Sequence, residues 1–396
     1  MIRKNRLSPF LTVCMLFACT PFLGQLAHDV IYDYVGIVFP FVLLLFFVKR
    51  RNNRKINSKL VGLSIGAILS ILLSFIIVGG GLGSVIGNIG FVVFFFVFYH
   101  VRFGDLEFEH YVRLLGVFQV YLVIAAIFSG YVGWGSASSE EAYFMGNNPN
   151  TLGTQCVINF AFFFLMPIKN KFKQIFLLSS SVLLLVMSGT RTCMFVLLVF
   201  LFLFYISRNK VWKFGWIKVF CFSLMVLGIL FPLFYSVIFP EMAVIDALTE
   251  YSVENFDKQV FSGREVIWGG AWNQLLSSPL NFMFGIGSHF YINNSYSYFG
   301  SDFEMNSNFH SAFFSLFICC GLVGYVLLMN LYAKLVLTKR ILSNGKRSDM
   351  NVYFLPFMII GLSESTLFGG SIGIQLFIML SMLLNSEKVL ERVKKC

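Results

Sequence analysis

Apolar blocks recur along the whole chain, each close to the roughly 20 residues a helix needs to cross a bilayer. They fall at 10–27, 31–48, 61–78, 85–99, 111–129, 150–167, 174–188, 193–206, 219–239 and 309–332, with two more inside 352–384. Short polar turns separate them. The pattern predicts an all-α, polytopic integral membrane bundle of about twelve spans. Open β-structure is excluded, because lipid cannot satisfy its backbone groups. One stretch, 240–308, is long and has no membrane-length apolar block, so the chain divides into spans 1–239, a large loop 240–308, and spans with a basic tail at 309–396.

Within that loop, Ser262 and Glu265 have the spacing of a capping box, which predicts a helix running to Ser278 and stopped by Pro279. Arg264 falls in its first turn. Trp268, Trp272 and Leu276 recur every four residues and predict one apolar face, suited to a bilayer surface or to the bundle itself. Earlier in the chain, Gly146-Asn-Asn-Pro-Asn-Thr-Leu-Gly153 reads as a turn with Asn150 as N-cap of the following span.

Composition agrees with the pattern: the chain is 57% hydrophobic and 12% charged, with 49 Phe, far more apolar than a soluble domain. A net charge of +11 invites a nucleic-acid reading. The placement of the charges removes it. With both termini on one side of the membrane, only Arg191, Lys258 and Arg264 of the 30 Lys and Arg fall on the other. The positive-inside rule therefore puts both termini in the cytoplasm and the large loop outside. None of the eight Cys forms a CxxC pair, and the five His show no ligand spacing, so no metal is expected. There is no P-loop or dinucleotide fingerprint either.

On a face from which positive charge is excluded, the exceptions carry information. Arg191 lies in the turn Ser188-Gly-Thr-Arg-Thr192, Arg264 opens the loop helix, and His310 sits in Asn306-Ser-Asn-Phe-His-Ser311 at the start of a span. Two guanidinium forks beside helix-end N–H groups suit a diphosphate. His310 suits a general base or a further donor. The plainer alternatives are an interfacial anchor for Arg191, a pairing of Arg264 with an acid such as Asp257, and an interfacial histidine satisfied by the preceding asparagines. Glu364, in Gly361-Leu-Ser-Glu-Ser365, is an acid inside an apolar span, where ionisable groups mark function or a structural pairing. It would orient an arginine or serve as an alternative base.

These motifs resemble the bacterial O-antigen polymerase and O-antigen ligase family, multi-span glycosyltransferases with a GT-C-like membrane architecture. The resemblance covers about Gly146 to Glu364: the Ser188–Thr192 turn, the segment Ser262-Gly-Arg-Glu-Val-Ile-Trp268, and Asn308-Phe-His-Ser311 followed by Cys320-Gly-Leu-Val-Gly324. Ser311 departs from the asparagine more usual in the family. By the resemblance, Arg191 and Arg264 hold the diphosphate of an undecaprenyl-diphosphate-linked glycan and His310 activates the acceptor hydroxyl. Asn150, Asn308, Trp268 and Glu364 are supporting residues. The resemblance implies no cofactor, neither nucleotide sugar nor metal. It implies a lipid-linked glycan as donor and as acceptor, membrane lipids around the protein, and a chain-length regulator and flippase of the same pathway as partners. It also implies the bacterial inner membrane, with the active site facing the periplasm.

The segment Gly146–Gly153 resembles one found more with the polymerases of the family, so polymerase is the expectation, with ligation of the glycan to lipid A core as the alternative. A transporter of lipid-linked oligosaccharide is the alternative of another class. Transporters, however, often carry internal repeats and charges near the midplane, and the informative charges here gather at one face. Tyr291, Tyr296 and Tyr298 are candidates for sugar stacking.

Overall fold

In a computed structural model the described residues are 57–78, 82–100, 105–128, 149–166, 168, 170–208, 214–238, 264–286, 309, 311–336, 340–341, 347–348 and 355–364, with single positions at 12, 41–42, 44–45, 247, 250–251, 376 and 378–379. They form helices α1 (Ser58–Val78), α2 (Leu82–His100), α3 (Asp105–Phe128), α4 (Pro149–Leu165), α5 (Lys171–Met187), α6 (Arg191–Arg208), α7 (Phe214–Leu233), α8 (Arg264–Leu276), α9 (Pro279–Phe284), α10 (Ala312–Val336) and α11 (Leu355–Ser363). The β-structure among them is one short antiparallel pairing, Arg340 with Ser348 and Ile341 with Arg347. Among the described residues, four stretches are long and apolar enough to cross a membrane: Ser58–Ile77, Glu109–Phe128, Lys218–Ser236 and Ala312–Lys334. Most of the predicted spans 10–27 and 31–48, and most of 365–384, lie outside the described residues.

Burial sorts the helices into inner and outer. Of the four candidate spans, the one in α10 is 72% buried and the other three 33%, so α10 is enclosed while α1, α3 and α7 keep apolar faces outward. Helix α4 is buried along nearly its whole length, its polar Thr154, Gln155 and Asn159 included. It packs on α3, α5 and α6, while α10 packs on α1, α2, α7, α8, α9 and α11. Helix α11 joins the two groups by lying against α6 and α7 as well as α10.

Pro232 lies near the end of α7, and the chain widens there into a π-helical turn, Phe234–Ile238. Proline has no N–H to continue the helical ladder. The Ser236 hydroxyl donates to the Pro232 carbonyl at 2.8 Å, which bonds the loosened turn.

Several expected boundaries move for physical reasons. Pro279 does not merely stop the loop helix: it opens α9 at its first position, with Ser278 as N-cap accepting from the Leu280 N–H, since a proline at that position has no N–H to lose. Asn150 is not an N-cap either, because α4 begins at Pro149 and Asn150 lies inside the first turn. Leu276 is 58% exposed. The buried face of α8 is Ile267, Trp268, Ala271, Trp272 and Leu275, because strict steps of four drift around a helix of 3.6 residues per turn.

Helices α8 and α9 do not stay at the bundle's edge. The Trp272 ring packs on Phe314 and Phe317, at 5.7 and 5.5 Å between centroids, and Phe282 meets Phe317 at 5.9 Å. The Ile286 N–H donates to the Ile318 carbonyl at 2.9 Å. The hairpin thus runs beside α10 to a depth of about 9 Å from its start, at 1.5 Å per residue.

That carbonyl is available because α10 is broken at Gly321, whose φ is +64°. The Ser74 hydroxyl of α1 donates to the neighbouring Cys319 carbonyl at 3.0 Å, so two successive carbonyls before the break accept from outside the helix.

Candidate functional site

The site is built where helix ends meet. The turn between α5 and α6 is tight: the Ser188 N–H donates to Leu184 O, the Gly189 N–H to Val186 O, and the Ser188 hydroxyl to Leu185 O at 2.7 Å. Gly189 has φ +64°, a conformation that favours glycine at a helix C-terminus. The Ser188 and Thr190 hydroxyls are hydrogen-bonded at 2.8 Å. Arg191 then opens α6 with its side chain exposed, in a first turn whose N–H groups have no intrahelical acceptor.

Helix α4 seats against this turn through Gly153. A methyl group there would collide with the Thr190 hydroxyl, so the close approach requires glycine. Next to it, Thr154 donates to Asn150 O at 2.8 Å, and its hydroxyl lies 3.6 Å from the Cys193 sulfur. The starts of α4 and α6 therefore stand side by side.

Asn150 extends the cluster to the end of α11. Its Nδ2 donates to Glu364 Oε1 at 2.7 Å. Glu364 is only 6% exposed. Its main-chain carbonyl accepts the Ala312 N–H at 3.1 Å, and the Ser311 hydroxyl donates to Gly361 O at 3.3 Å. Ser311 also accepts from the Phe314 N–H, so it caps α10, a task its hydroxyl performs well. This role accounts for α10 starting at Ala312 and not at 309.

From the other side, Trp268 of α8 donates its indole N–H to the Phe309 carbonyl at 2.6 Å. The ring is 1% exposed, held edge-on by Tyr235 at 5.0 Å and Phe231 at 5.9 Å. Residues 309 and 311 are thereby fixed by two different neighbours. His310 and Asn308 lie outside the described residues, as do Tyr291, Tyr296 and Tyr298. Arg264 is placed as the first residue of α8, one turn before Trp268; its side chain lies outside the described residues.

The structure thus brings Asn150, Arg191, Glu364, Trp268 and the two neighbours of position 310 to one end of the bundle. Sequence reasoning missed the contributions of Gly153, Ser188 and Thr190, although these lie in motifs it singled out, and of Thr154, one residue beyond such a motif. It also missed the Gly285–Gly321 junction, whose signal was a glycine in mid-span. Among the described residues, no group of three His, Cys, Asp or Glu is placed to hold a metal ion. The chemistry this end can offer is a cationic, donor-rich surface at two or more helix starts, backed by a buried carboxylate.

Comparison with known proteins bears on the same core. Residues 175–329 match a family model described as O-antigen ligase, a region that holds Arg191, Arg264, Trp268, Phe309 and Ser311. No curated protein matches the sequence.

Proposed function

We propose, with the chain's place in the O-antigen polymerase and ligase family as premise, that it polymerises a surface glycan. It would transfer the growing chain from undecaprenyl diphosphate to the terminal sugar of a new lipid-linked repeat unit. The observation that carries this reading is the meeting of the starts of α4 and α10 at Glu364, bonded through Asn150 Nδ2 to Glu364 Oε1 and Ala312 N to Glu364 O, with the turn that opens α6 seated against Gly153 of α4.

In this account Arg191 and Arg264 bind the diphosphate, and the helix-end N–H groups share its charge. The bond between the donor sugar's C1 and the diphosphate oxygen breaks, and the diphosphate leaves with the electron pair. The acceptor hydroxyl oxygen bonds to C1, and its proton passes to His310. The arginines stabilise the charge that develops on the leaving group. Holding donor and acceptor together supplies the rest. No metal and no nucleotide sugar enters the scheme. The site would face the periplasm from the bacterial inner membrane.

Ligation to lipid A core is the second reading, favoured by the description of the matching family itself. The test is reconstitution of the purified protein with the lipid-linked repeat unit isolated from its source strain, without nucleotide sugar or divalent cation. A ladder of glycan lengths supports polymerisation. Transfer only when lipid A core is added supports ligation, and no transfer in either mixture refutes both.

A further inference from the structure

The stretch 240–308 is expected to stand outside the membrane as a loop, yet no Asp, Glu, Lys or Arg occurs in it between Glu265 and Asp302. An average soluble segment carries about one charged residue in four. The described part of this uncharged run, in α8 and α9, also turns an apolar surface outward. From 276 to 283 the exposed residues are Leu276, Ser277, Pro279, Leu280 and Met283, while Trp272 and Phe282 take up the face toward α10.

Two helices measure how deep this surface lies. In α10 the stretch Ala312–Lys334 is long and apolar enough to cross a bilayer, and the main chain of Met283 and Gly285 approaches Gly321 within it. At 1.5 Å per residue Gly321 is about 14 Å from the start of that stretch. In α1 the stretch Ser58–Ile77 has 20 residues, about 30 Å, the thickness of the hydrocarbon core. Its Ser74 donates to the Cys319 carbonyl, which sets Cys319 about 5 Å inside the Ile77 end, with Gly321 deeper still. Both helices therefore put α9 below the membrane surface. Helix α9 packs on α1 as well as on α10, and Leu72, Leu73, Ile76 and Ile77 of α1 are exposed. The outward face of α9 continues an apolar face that a membrane span turns to lipid.

The turn between α8 and α9 suits such a place. The Gln274 carbonyl accepts the Ser277 N–H at 3.3 Å, the Ser277 hydroxyl at 2.7 Å and Asn281 Nδ2 at 3.3 Å. Asn281 Nδ2 also reaches Ser277 Oγ at 3.2 Å, and Ser278 Oγ accepts the Leu280 N–H at 3.2 Å. Main chain in hydrocarbon has to find its partners within the protein, and here Ser277, Ser278 and Asn281 give their side chains to it. At the far end the Gly285 N–H donates to Asn281 O and the Ile286 N–H to Ile318 O. A segment that enters and leaves by the same side needs no apolar block of spanning length.

We propose that α8 and α9 form a re-entrant hairpin whose face at Leu276, Leu280 and Met283 lies in the bilayer hydrocarbon, against phospholipid acyl chains. The hairpin anchors α8, and so sets the height of Arg264, which opens that helix about 18 Å from Leu276. The inference requires that α1 and α10 cross the membrane; it does not depend on glycosyl transfer.

The experiment reconstitutes the full-length protein in phosphatidylcholine vesicles with a nitroxide attached at Leu280→Cys or at Met283→Cys. Collision of each label with dissolved oxygen is compared with its collision with a water-soluble nickel chelate. Ile76→Cys on the exposed face of α1 is the lipid reference, and Lys171→Cys, exposed at the start of α5, is the aqueous one. Labelled wild type gives the background from the native cysteines, of which Cys156, Cys193, Cys221, Cys319 and Cys320 are buried. The oxygen-to-chelate ratio at 280 and 283 is expected within about threefold of that at 76 and at least about tenfold above that at 171, because a polar chelate is excluded from hydrocarbon. A ratio closer to that at 171 than to that at 76 would overturn the proposal. If neither labelled variant folds, wild type decides, in vesicles of phosphatidylcholine carrying a diazirine in its acyl chain. Irradiation is expected to place adducts on 276–283 as it does on 72–77, and adducts on 72–77 with none on 276–283 overturn the proposal. Failure of the transfer reading would move neither result.

Discussion

The Trp268 indole N–H donates to the Phe309 carbonyl at 2.6 Å, and this bond ties the loop helix α8 to the chain immediately before position 310. Its effect is to make the loop arginine and the histidine segment parts of one unit. Trp268→Phe keeps most of the buried ring and removes the bond. It should cost about 1–2 kcal/mol and lower turnover more than tenfold, because the segment at 309–311 loses one of its two anchors. Trp268→Ala should cost about 3–5 kcal/mol and abolish activity with the fold. Thermal unfolding in detergent measured beside turnover checks both.

Gly153 makes room for the Thr190 hydroxyl. Gly153→Ala forces the α5–α6 turn away from α4, and a displacement of this order is enough to cost about a hundredfold in rate. The paired change Gly153→Ala with Thr190→Ala removes the clashing hydroxyl and should recover part of the loss. Turnover of the single and double variants tests the account; equal losses would show that the turn is not what the alanine disturbs.

At the break in α10, Gly285 and Gly321 approach each other's backbones, with φ of +87° and +64°. A side chain at either position meets main-chain atoms that cannot step aside. Gly321→Ala should destabilise by more than about 2 kcal/mol, from backbone strain and overpacking together. Ser74→Ala removes only the bond to the Cys319 carbonyl and should cost about 1 kcal/mol. Unfolding temperatures should rank wild type above Ser74→Ala and Ser74→Ala well above Gly321→Ala.

A polar seam crosses the buried helices: Gln155 Nε2 donates to Asn159 Oδ1 at 2.8 Å, Asn159 Nδ2 to Gln119 Oε1 at 2.6 Å, and Gln119 Nε2 to Ser180 Oγ at 3.2 Å. It joins α3, α4 and α5, starting one residue after Thr154 and leading away from it along α4. Hydrogen bonds between membrane helices are worth about 0.6 kcal/mol each. Asn159→Leu should therefore lower the unfolding temperature by a few degrees while the folded fraction keeps its kcat. A large loss of kcat without loss of stability would contradict a purely structural seam.

Much of this was legible in the chain because membrane helices announce themselves by length and apolarity. The stretches 61–78, 111–129 and 219–239 correspond closely to α1, α3 and α7 with its π-helical turn. Arg191 and Glu364 stood out because charge is costly in such surroundings, and the structure places both at one end of the bundle. What could not be read was contact between distant segments. Nothing in the local pattern pairs Asn150 with Glu364 or Trp268 with Phe309, since each bond depends on how the helices pack. The fourfold spacing of Trp268, Trp272 and Leu276 misled for a related reason: a buried face follows 3.6 residues per turn, so Leu275 closes it. Pro279 was read as a stop because its missing N–H breaks a ladder, yet the same property lets it start α9.

The central claim is that Arg191 and Arg264 act on one diphosphate. Its most direct test is the affinity of the purified protein for undecaprenyl diphosphate, measured for wild type, Arg191→Ala, Arg264→Ala and the double variant, with Lys258→Ala as control. The account predicts that each single change weakens binding by about tenfold or more, that the double variant loses less than the product of the two, as partners on one ligand do, and that the control binds as wild type does. Affinity unchanged in either single variant, or losses that multiply independently, would contradict it.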